Sequence, residues 1–369
     1  MRTNLFISNF NRVRKFASLF FIFIGLVLLV ISTSDTIMQK IIDKRSGLNN
    51  CFGIHQARGG DLVSISYLDK VKRFQENYEF HCVKPPNDTG KKNIDLYIYG
   101  DSYLLEVSDS AFYGVHSYHY CRAGFQDMHY TLDPHKKNIL IIENSERFAR
   151  VAFVLMEITR HFNKEKPAVS FIHPSISRTL YAKFPDLDIF NPDINRNLEF
   201  NIYGYRFWDE VKFAKASLTY YLFKRAAGDA VVSDDGSRLF LKETVAENDS
   251  QSSYYPFDQK ELQEMFRILN LTCAYYKADG FDEVYMSLIP NPATILQPRH
   301  YNGLIPALQQ PDSLKCMGII DIYNPFLREP NPGKLFRLGD THWSNDGIQI
   351  WLNAVNAELK RISDQNELK

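Results

Sequence analysis

The chain carries no net charge, because 43 Lys and Arg balance 43 Asp and Glu. Whole-chain charge therefore gives no reason to expect a nucleic-acid partner. Its five cysteines, Cys51, Cys82, Cys121, Cys273 and Cys316, form no Cys-x-x-Cys pair. Structural zinc and thioredoxin-like chemistry are thereby disfavoured. His116, His119 and His129 cluster in an aromatic stretch, but no carboxylates accompany them at metal-ligand spacing. Neither a metal nor a cofactor is expected. No internal repeat or low-complexity tract is present, and 369 residues suffice for one large or two modest domains with substantial cores. Tyr and Phe, at 21 and 27, are plentiful. They suit a carbohydrate-facing cleft and a well-filled core alike, and packing is their commoner use.

The N-terminus carries a strong signal. Residues 1–15 hold Arg2, Arg12, Arg14 and Lys15, and residues 16–32 are uncharged, FASLFFIFIGLVLLVIS. As a helix that run spans about 25 Å, near the lower limit for crossing a bilayer. The basic flank predicts a cytoplasmic tail and an exported main domain. A cleaved signal peptide competes, since Ser32, Thr33 and Ser34 are small. The length of the run and the lack of an Ala-x-Ala site favour an uncleaved anchor. The cysteines then face a compartment that tolerates disulfides. Cys51 and Cys82 stand close enough in sequence to be bridged, and the odd count leaves at least one thiol unpaired.

Residues 33–92 read as a stalk followed by a helix over Leu62 to Tyr78, ended by the breaker cluster Pro85-Pro86-Asn87-Asp88-Thr89-Gly90. Asn87-Asp88-Thr89 is also a glycosylation sequon, relevant only in a eukaryotic host. A main domain over 93–369 follows. Asn93 to Tyr99 is short, apolar and rich in β-branched and aromatic residues, as a buried strand is. Further strands are predicted at Asn138 to Ile142, Val169 to Ile172 and Glu283 to Ile289. The spacing of Leu262, Met265, Phe266 and Leu269 predicts a helix from Asp258 to Lys277. Strands alternating with helices predict an α/β fold, a parallel sheet covered on both faces. Residues 195–255 interrupt that rhythm with a helix over Trp208 to Ala227 and a hairpin turning at Asp235-Gly236. This insertion reads as a substrate lid or a structural cap.

Two short motifs bear on chemistry. Gly100-Asp101-Ser102-Tyr103 stands at the carboxyl end of the first strand, where open α/β sheets place their ligand sites. Asp340-Thr341-His342-Trp343 lies just before a helix beginning near Asn345. A serine hydroxyl needs a base to become a nucleophile, and that imidazole needs a carboxylate to fix its tautomer. Ser102, His342 and Asp340 are the candidates for these roles.

The first motif resembles the opening block of the SGNH (GDSL-type) hydrolases. Asp340-Thr341-His342-Trp343-Ser344 resembles the Asp-x-His-Trp signature of the SGNH-like O-acetyltransferases of bacterial envelope polysaccharides, the alginate O-acetyltransferase type. The likeness extends loosely over Ile94 to Leu359. It implies a three-layer α/β/α, flavodoxin-like domain with Ser102 as nucleophile, His342 as base and Asp340 as its orienting carboxylate. It also implies an inner-membrane anchor, a periplasmic domain and a polysaccharide acceptor. The acyl donor would be delivered by a multispanning membrane-bound O-acyltransferase. Two departures stand out. In the alginate-type proteins the Asp-x-His pair precedes the serine block, whereas here it follows, as in SGNH esterases; the chemistry tolerates any order. No clear Gly-x-Asn-Asp block completes an oxyanion hole. Asn144 is the nearest match beside the Ser102 N–H, with Gly114 weaker, and a turn or cap is the competing role for Asn144. Asp101, Tyr103, Arg147 and Trp343 are candidate substrate contacts, although Arg147 equally suits an ion pair and Trp343 a packing role. Transferase, carbohydrate esterase and inert glycan-binding or assembly subunit remain the readings in play.

Overall fold

The computed structural model describes residues 3–48, 50–53, 59–81, 92–152, 158–159, 161–164 and 191–367. The expected strand at Val169 to Ile172, the Asn87 sequon and Cys82 lie outside them. The chain divides into two compact units, residues 1–56 with 169–215 and residues 57–168 with 216–369.

The first unit is built on the helix Thr3–Ser32. Its Val13–Ser32 part has a mean hydropathy of 2.5 and is long and apolar enough for a membrane anchor or a signal sequence. Phe16, Leu19, Phe21, Phe23 and Leu26 are exposed along it, so no core among the described residues accounts for its apolar character. Its C-terminal end is held by side-chain amides of the helix Ile194–Tyr203. Asn197 donates to the Ser32 carbonyl at 3.0 Å and Asn201 to the Ser32 hydroxyl at 2.9 Å. Ser34 then caps the helix Asp35–Ser46, accepting from the Ile37 N–H at 3.2 Å. Arg45 stacks 3.8 Å from the Tyr205 ring centre.

Among its described residues the second unit contains nine short or medium strands: β1 Ile94–Gly100, β2 Val115–Arg122, β3 Met128–Tyr130, β4 Lys137–Ser145, β5 Phe162–Lys164, β6 Ala230–Val232, β7 Leu239–Leu241, β8 Glu283–Ile289 and β9 Gly318–Ile319. Five form a wholly parallel sheet in the order β2-β1-β4-β8-β9. Strand alternation divides its side chains between two cores. Ile94, Leu96, Ile98, Ile139 and Ile141 pack with Ile348, Trp351, Leu352 and Val355 of the helix Asn345–Glu367. Tyr97, Tyr99, Leu140, Ile142 and Met286 pack with Leu262, Phe266, Leu269 and Tyr276 of the helix Gln259–Asp279. Asp258 caps that helix by accepting from the Glu261 N–H at 2.7 Å, and left-handed Gly280 ends it. The fold is thus mixed α/β around a parallel sheet.

Several boundaries differ from the sequence reading. The expected helix over Leu62 to Tyr78 is one short helix, Asp61–Ser66, ended by Tyr67 in the left-handed region and followed by a single turn at Lys72–Phe74. Leu62, Val63, Leu68, Val71 and Phe74 form a third core with Ala216, Tyr220, Ala230 and Leu239. The segment from residue 59 is therefore part of the second unit and not a stalk, and the boundary at 93 moves toward the N-terminus. The insertion 195–255 is also divided, its first residues falling in the first unit and 216–255 in the second. Its hairpin forms as expected, β6 pairing antiparallel with β7. Of the cysteines considered for a bridge, Cys51 is a free thiol while Cys82 lies outside the described residues, and Cys273 bonds to Cys316.

Candidate active site

Numbered by their place in the sequence, the five sheet strands run 2-1-3-4-5, so successive connections leave the first strand in opposite directions. Ligand sites of open α/β sheets form in the crevice at the carboxyl ends where that reversal occurs. β1 ends there, and Ser102 follows two residues later.

The turn is fixed by its own residues. Gly100 is required by a close approach, because a Cβ at this position would lie 2.5 Å from Glu143 Oε2. That oxygen accepts the Asp101 N–H at 2.9 Å. Burial, reinforced by the charge of Asp101, raises the Glu143 carboxyl well above its usual range. Asp101 caps the turn, its two oxygens accepting the Tyr103 N–H at 3.0 Å and the Ser145 N–H at 2.9 Å. Both oxygens are occupied and the side chain is buried. Asp101 holds β1 to β4 and does not face the cleft.

The loop carrying Asp340 and His342 is a hairpin-like excursion. Phe336 bridges to Trp343, the Arg337 N–H donates to the His342 carbonyl at 3.3 Å, and the Ser344 N–H donates to the Leu335 carbonyl at 2.9 Å. Trp343 is buried against Tyr103 and Trp351, and its indole N–H donates to the Tyr103 carbonyl at 3.2 Å. The Tyr103 hydroxyl donates in return to the Thr341 carbonyl at 2.5 Å. These two bonds fasten the serine turn to the histidine loop across 240 residues of chain.

The three expected groups meet. Ser102 Oγ lies 2.9 Å from His342 Nε2, and His342 Nδ1 lies 2.7 Å from Asp340 Oδ1. The same Asp340 oxygen accepts the His342 backbone N–H at 3.0 Å. Burial opposes ionisation of Asp340, but its hydrogen bonds from His342, the His342 charge and Arg337 outweigh it and leave the carboxyl below its usual pKa. Arg337 reaches the other oxygen, Oδ2, at 2.8 Å. A cavity of about 220 Å³ opens over this arrangement, lined by Ser102, His342, Tyr78, Phe80, Leu105 and Ile348 among others. Larger grooves of about 540 and 750 Å³ border it, and both are lined by Glu76, Asn77, Tyr78 and Glu79.

The remaining expected residues are distributed unevenly. Tyr103 and Trp343 line the cavity but are almost wholly buried. Arg147 does not line it. Its guanidinium lies 3.8 Å from Glu243 and over the Phe148 ring. Gly114 stands at the far end of β1, where its carbonyl accepts the Ile94 N–H at 3.3 Å. Seven strand residues separate it from the serine turn, so it cannot supply an oxyanion donor. Asn144, one residue before the end of β4, lies beside Leu288, and alternation puts it on the face of Leu140 and Ile142. Ser102 stands past the end of β1 and opens the single helical turn Ser102–Leu104. The buried Asn144 Nδ2 has no hydrogen-bond partner among the described residues, leaving an unused donor at that edge.

One residue was missed entirely. Asp61 accepts the Thr341 N–H at 2.8 Å and the Thr341 hydroxyl at 2.5 Å, while its own N–H donates to Asp340 Oδ2 at 3.2 Å. Burial, then the neighbouring Asp340 charge, raises its carboxyl. Only Gly59-Gly60 before an apolar stretch marks it in sequence as the start of a helix, and nothing there connects it to residue 340. Asp61, Asp340 and His342 bring ligand-type atoms within 4.8 Å of one another. That donor set is already engaged: Arg337 is bound to Asp340, and His342 Nδ1 bonds to the same carboxylate.

No family profile, curated protein or solved structure matches the chain.

Proposed function

We propose that the chain is a membrane-anchored, extracytoplasmic serine-dependent O-acyltransferase of SGNH-like, flavodoxin-like architecture, modifying an envelope or secreted polysaccharide. The observation that carries acyl chemistry is the relay Ser102–His342–Asp340, with its two links of 2.9 and 2.7 Å. Ser102 Oγ attacks the acyl carbonyl carbon while His342 Nε2 takes the hydroxyl proton, and Asp340 holds the resulting imidazolium. The oxyanion is held by the Ser102 backbone N–H. As the tetrahedral species collapses, His342 returns the proton to the leaving group and the acyl group stays on Ser102. An acceptor hydroxyl then attacks the acyl-serine, giving its proton to His342, and collapse restores Ser102 with that proton as the product ester departs.

Transfer is favoured by the room beside the triad. The bordering grooves are lined by Glu76, Asn77 and Glu79, polar groups suited to a hydroxyl-rich acceptor. Hydrolysis is the second reading, and the 28 % exposure of the His342 side chain favours it, since water can reach the base. The apolar helix Val13–Ser32 supports an inner-membrane anchor with a periplasmic main domain. A multispanning acyltransferase partner would supply the acyl group from the cytoplasm.

The test uses full-length protein in detergent with an activated acetyl ester. Acetate release that Ser102→Ala abolishes is the expected result. A Ser102→Ala rate equal to wild type would sink the reading. Adding an oligosaccharide acceptor should divert acetyl from acetate to ester, and unchanged acetate release would favour the esterase.

A further inference from the structure

We propose that Asp61 is a positioning residue of the Ser102 site, supplying the second negative charge that lets His342 act as base beside an Asp340 already paired with Arg337. This rests on the reading of Ser102 as nucleophile.

In a simple triad one carboxylate faces one imidazole, and its full charge stabilises the imidazolium. Here the Arg337 guanidinium lies 2.8 Å from Asp340 Oδ2, and both side chains are largely shielded from water. A cation so placed offsets much of the field that Asp340 exerts on His342. Asp61 restores it, with Oδ2 standing 4.0 Å from His342 Nδ1. With Asp61, the cluster of two carboxylates, one guanidinium and one imidazolium is neutral after Ser102 has given up its proton. Without Asp61 it would carry a net positive charge. The other ionisable groups facing the imidazole do not replace it. Tyr103 is a buried phenol held protonated, Tyr78 lies under the Arg337 guanidinium, and Glu106 lines the outer cavity.

Position is set by the same residue. Asp61 grips Thr341, the residue between Asp340 and His342, through both its N–H and its hydroxyl, and its own N–H holds Asp340 Oδ2. Asp61→Asn keeps an acceptor for the Thr341 N–H and nearly the same shape while removing the charge. Charge and clasp can therefore be separated.

The experiment measures kcat/KM for 4-nitrophenyl acetate against pH with full-length protein in detergent, alongside thermal melting. Asp61→Asn should lower the neutral-pH value about 10- to 100-fold and move the acidic limb down by about one pH unit, as expected for a unit charge near 4 Å in a partly wet site. Melting should be unchanged. Asp61→Glu should keep the limb near its wild-type position, and so should Thr341→Val, which loses the hydroxyl bond but leaves the charge. An Asp61→Asn limb at the wild-type pH overturns the proposal, whatever happens to the rate. If Asp61→Asn does not fold, the other two variants decide, since a limb shifted in both would overturn it equally. If Ser102→Ala retains wild-type activity, the acyl reading itself fails and the role of Asp61 fails with it.

Discussion

Val63 donates its backbone N–H to the Gly339 carbonyl at 3.0 Å, one residue before the aspartate that orients His342. The two segments touch so closely that a Cβ at 339 would lie 2.3 Å from Val63 Cγ2 and 2.7 Å from the Phe74 carbonyl. Only glycine lets the short helix carrying Asp61 lie against the histidine loop.

Gly339→Ala should therefore cost about 1–3 kcal/mol through forced separation of two packed backbones. Urea unfolding measures the stability, and esterase assays should show activity falling with it. A variant as stable and active as wild type would mean that this contact does not hold the site.

Glu146 predicts a stability loss toward neutral pH. Its carboxylate is buried, accepts the Asn291 N–H at 3.0 Å and the Thr294 hydroxyl, and is raised by burial to about 7 from 4.5. The folded state therefore holds this proton more tightly than the unfolded state. The contribution is complete below about pH 4.5 and is lost as pH rises through about 7, an amount on the order of 3 kcal/mol. Urea midpoints at pH 5 and pH 8 should differ by more in wild type than in Glu146→Gln. Equal differences would remove Glu146 as the cause.

Cys273 and Cys316 close a loop of sequence separation 43, tying the helix Gln259–Asp279 to the segment before β9. Chain-entropy arguments give about 4 kcal/mol for a loop of that size. Cys316→Ser should lower the melting temperature, and dithiothreitol should lower that of wild type but not of the variant.

Trp351 is fully buried between the sheet and the helix Asn345–Glu367, with its indole N–H donating to the Ser287 hydroxyl at 2.9 Å. Trp351→Ala should cost about 3–5 kcal/mol. Ser287→Ala, which strands the indole N–H, should cost about 1–3 kcal/mol. Denaturant titration ranks the two, and the reverse order would contradict the packing described.

Legibility followed burial. β1, β4 and β8 were readable because each is buried along nearly its whole length and is written in apolar residues. β2 was not, since VHSYHYCR mixes polar and aromatic groups as an edge strand does. β9, at two residues, is too short to leave a pattern. Ser102, Asp340 and His342 were legible because a strand end and a pre-helix loop flagged them locally. Asp61 and Arg337 were not, because their importance lies in contacts that no local spacing encodes. The Leu62 to Tyr78 helix failed for a related reason: its apolar residues face a core shared with Tyr220 and Leu239, and Tyr67 turns the chain out of helical geometry.

The links that join Asp61 to Thr341 and Ser102 to His342 bridge 280 and 240 residues of chain. During synthesis Ser102 is made long before His342, and Asp61, which clasps the histidine loop, is made earlier still. Contacts of such separation form late, because the loop entropy must be overcome first. Ser102 thus gains its hydrogen bond to His342 only after the chain carrying Asp340 and His342 has folded back against the serine turn.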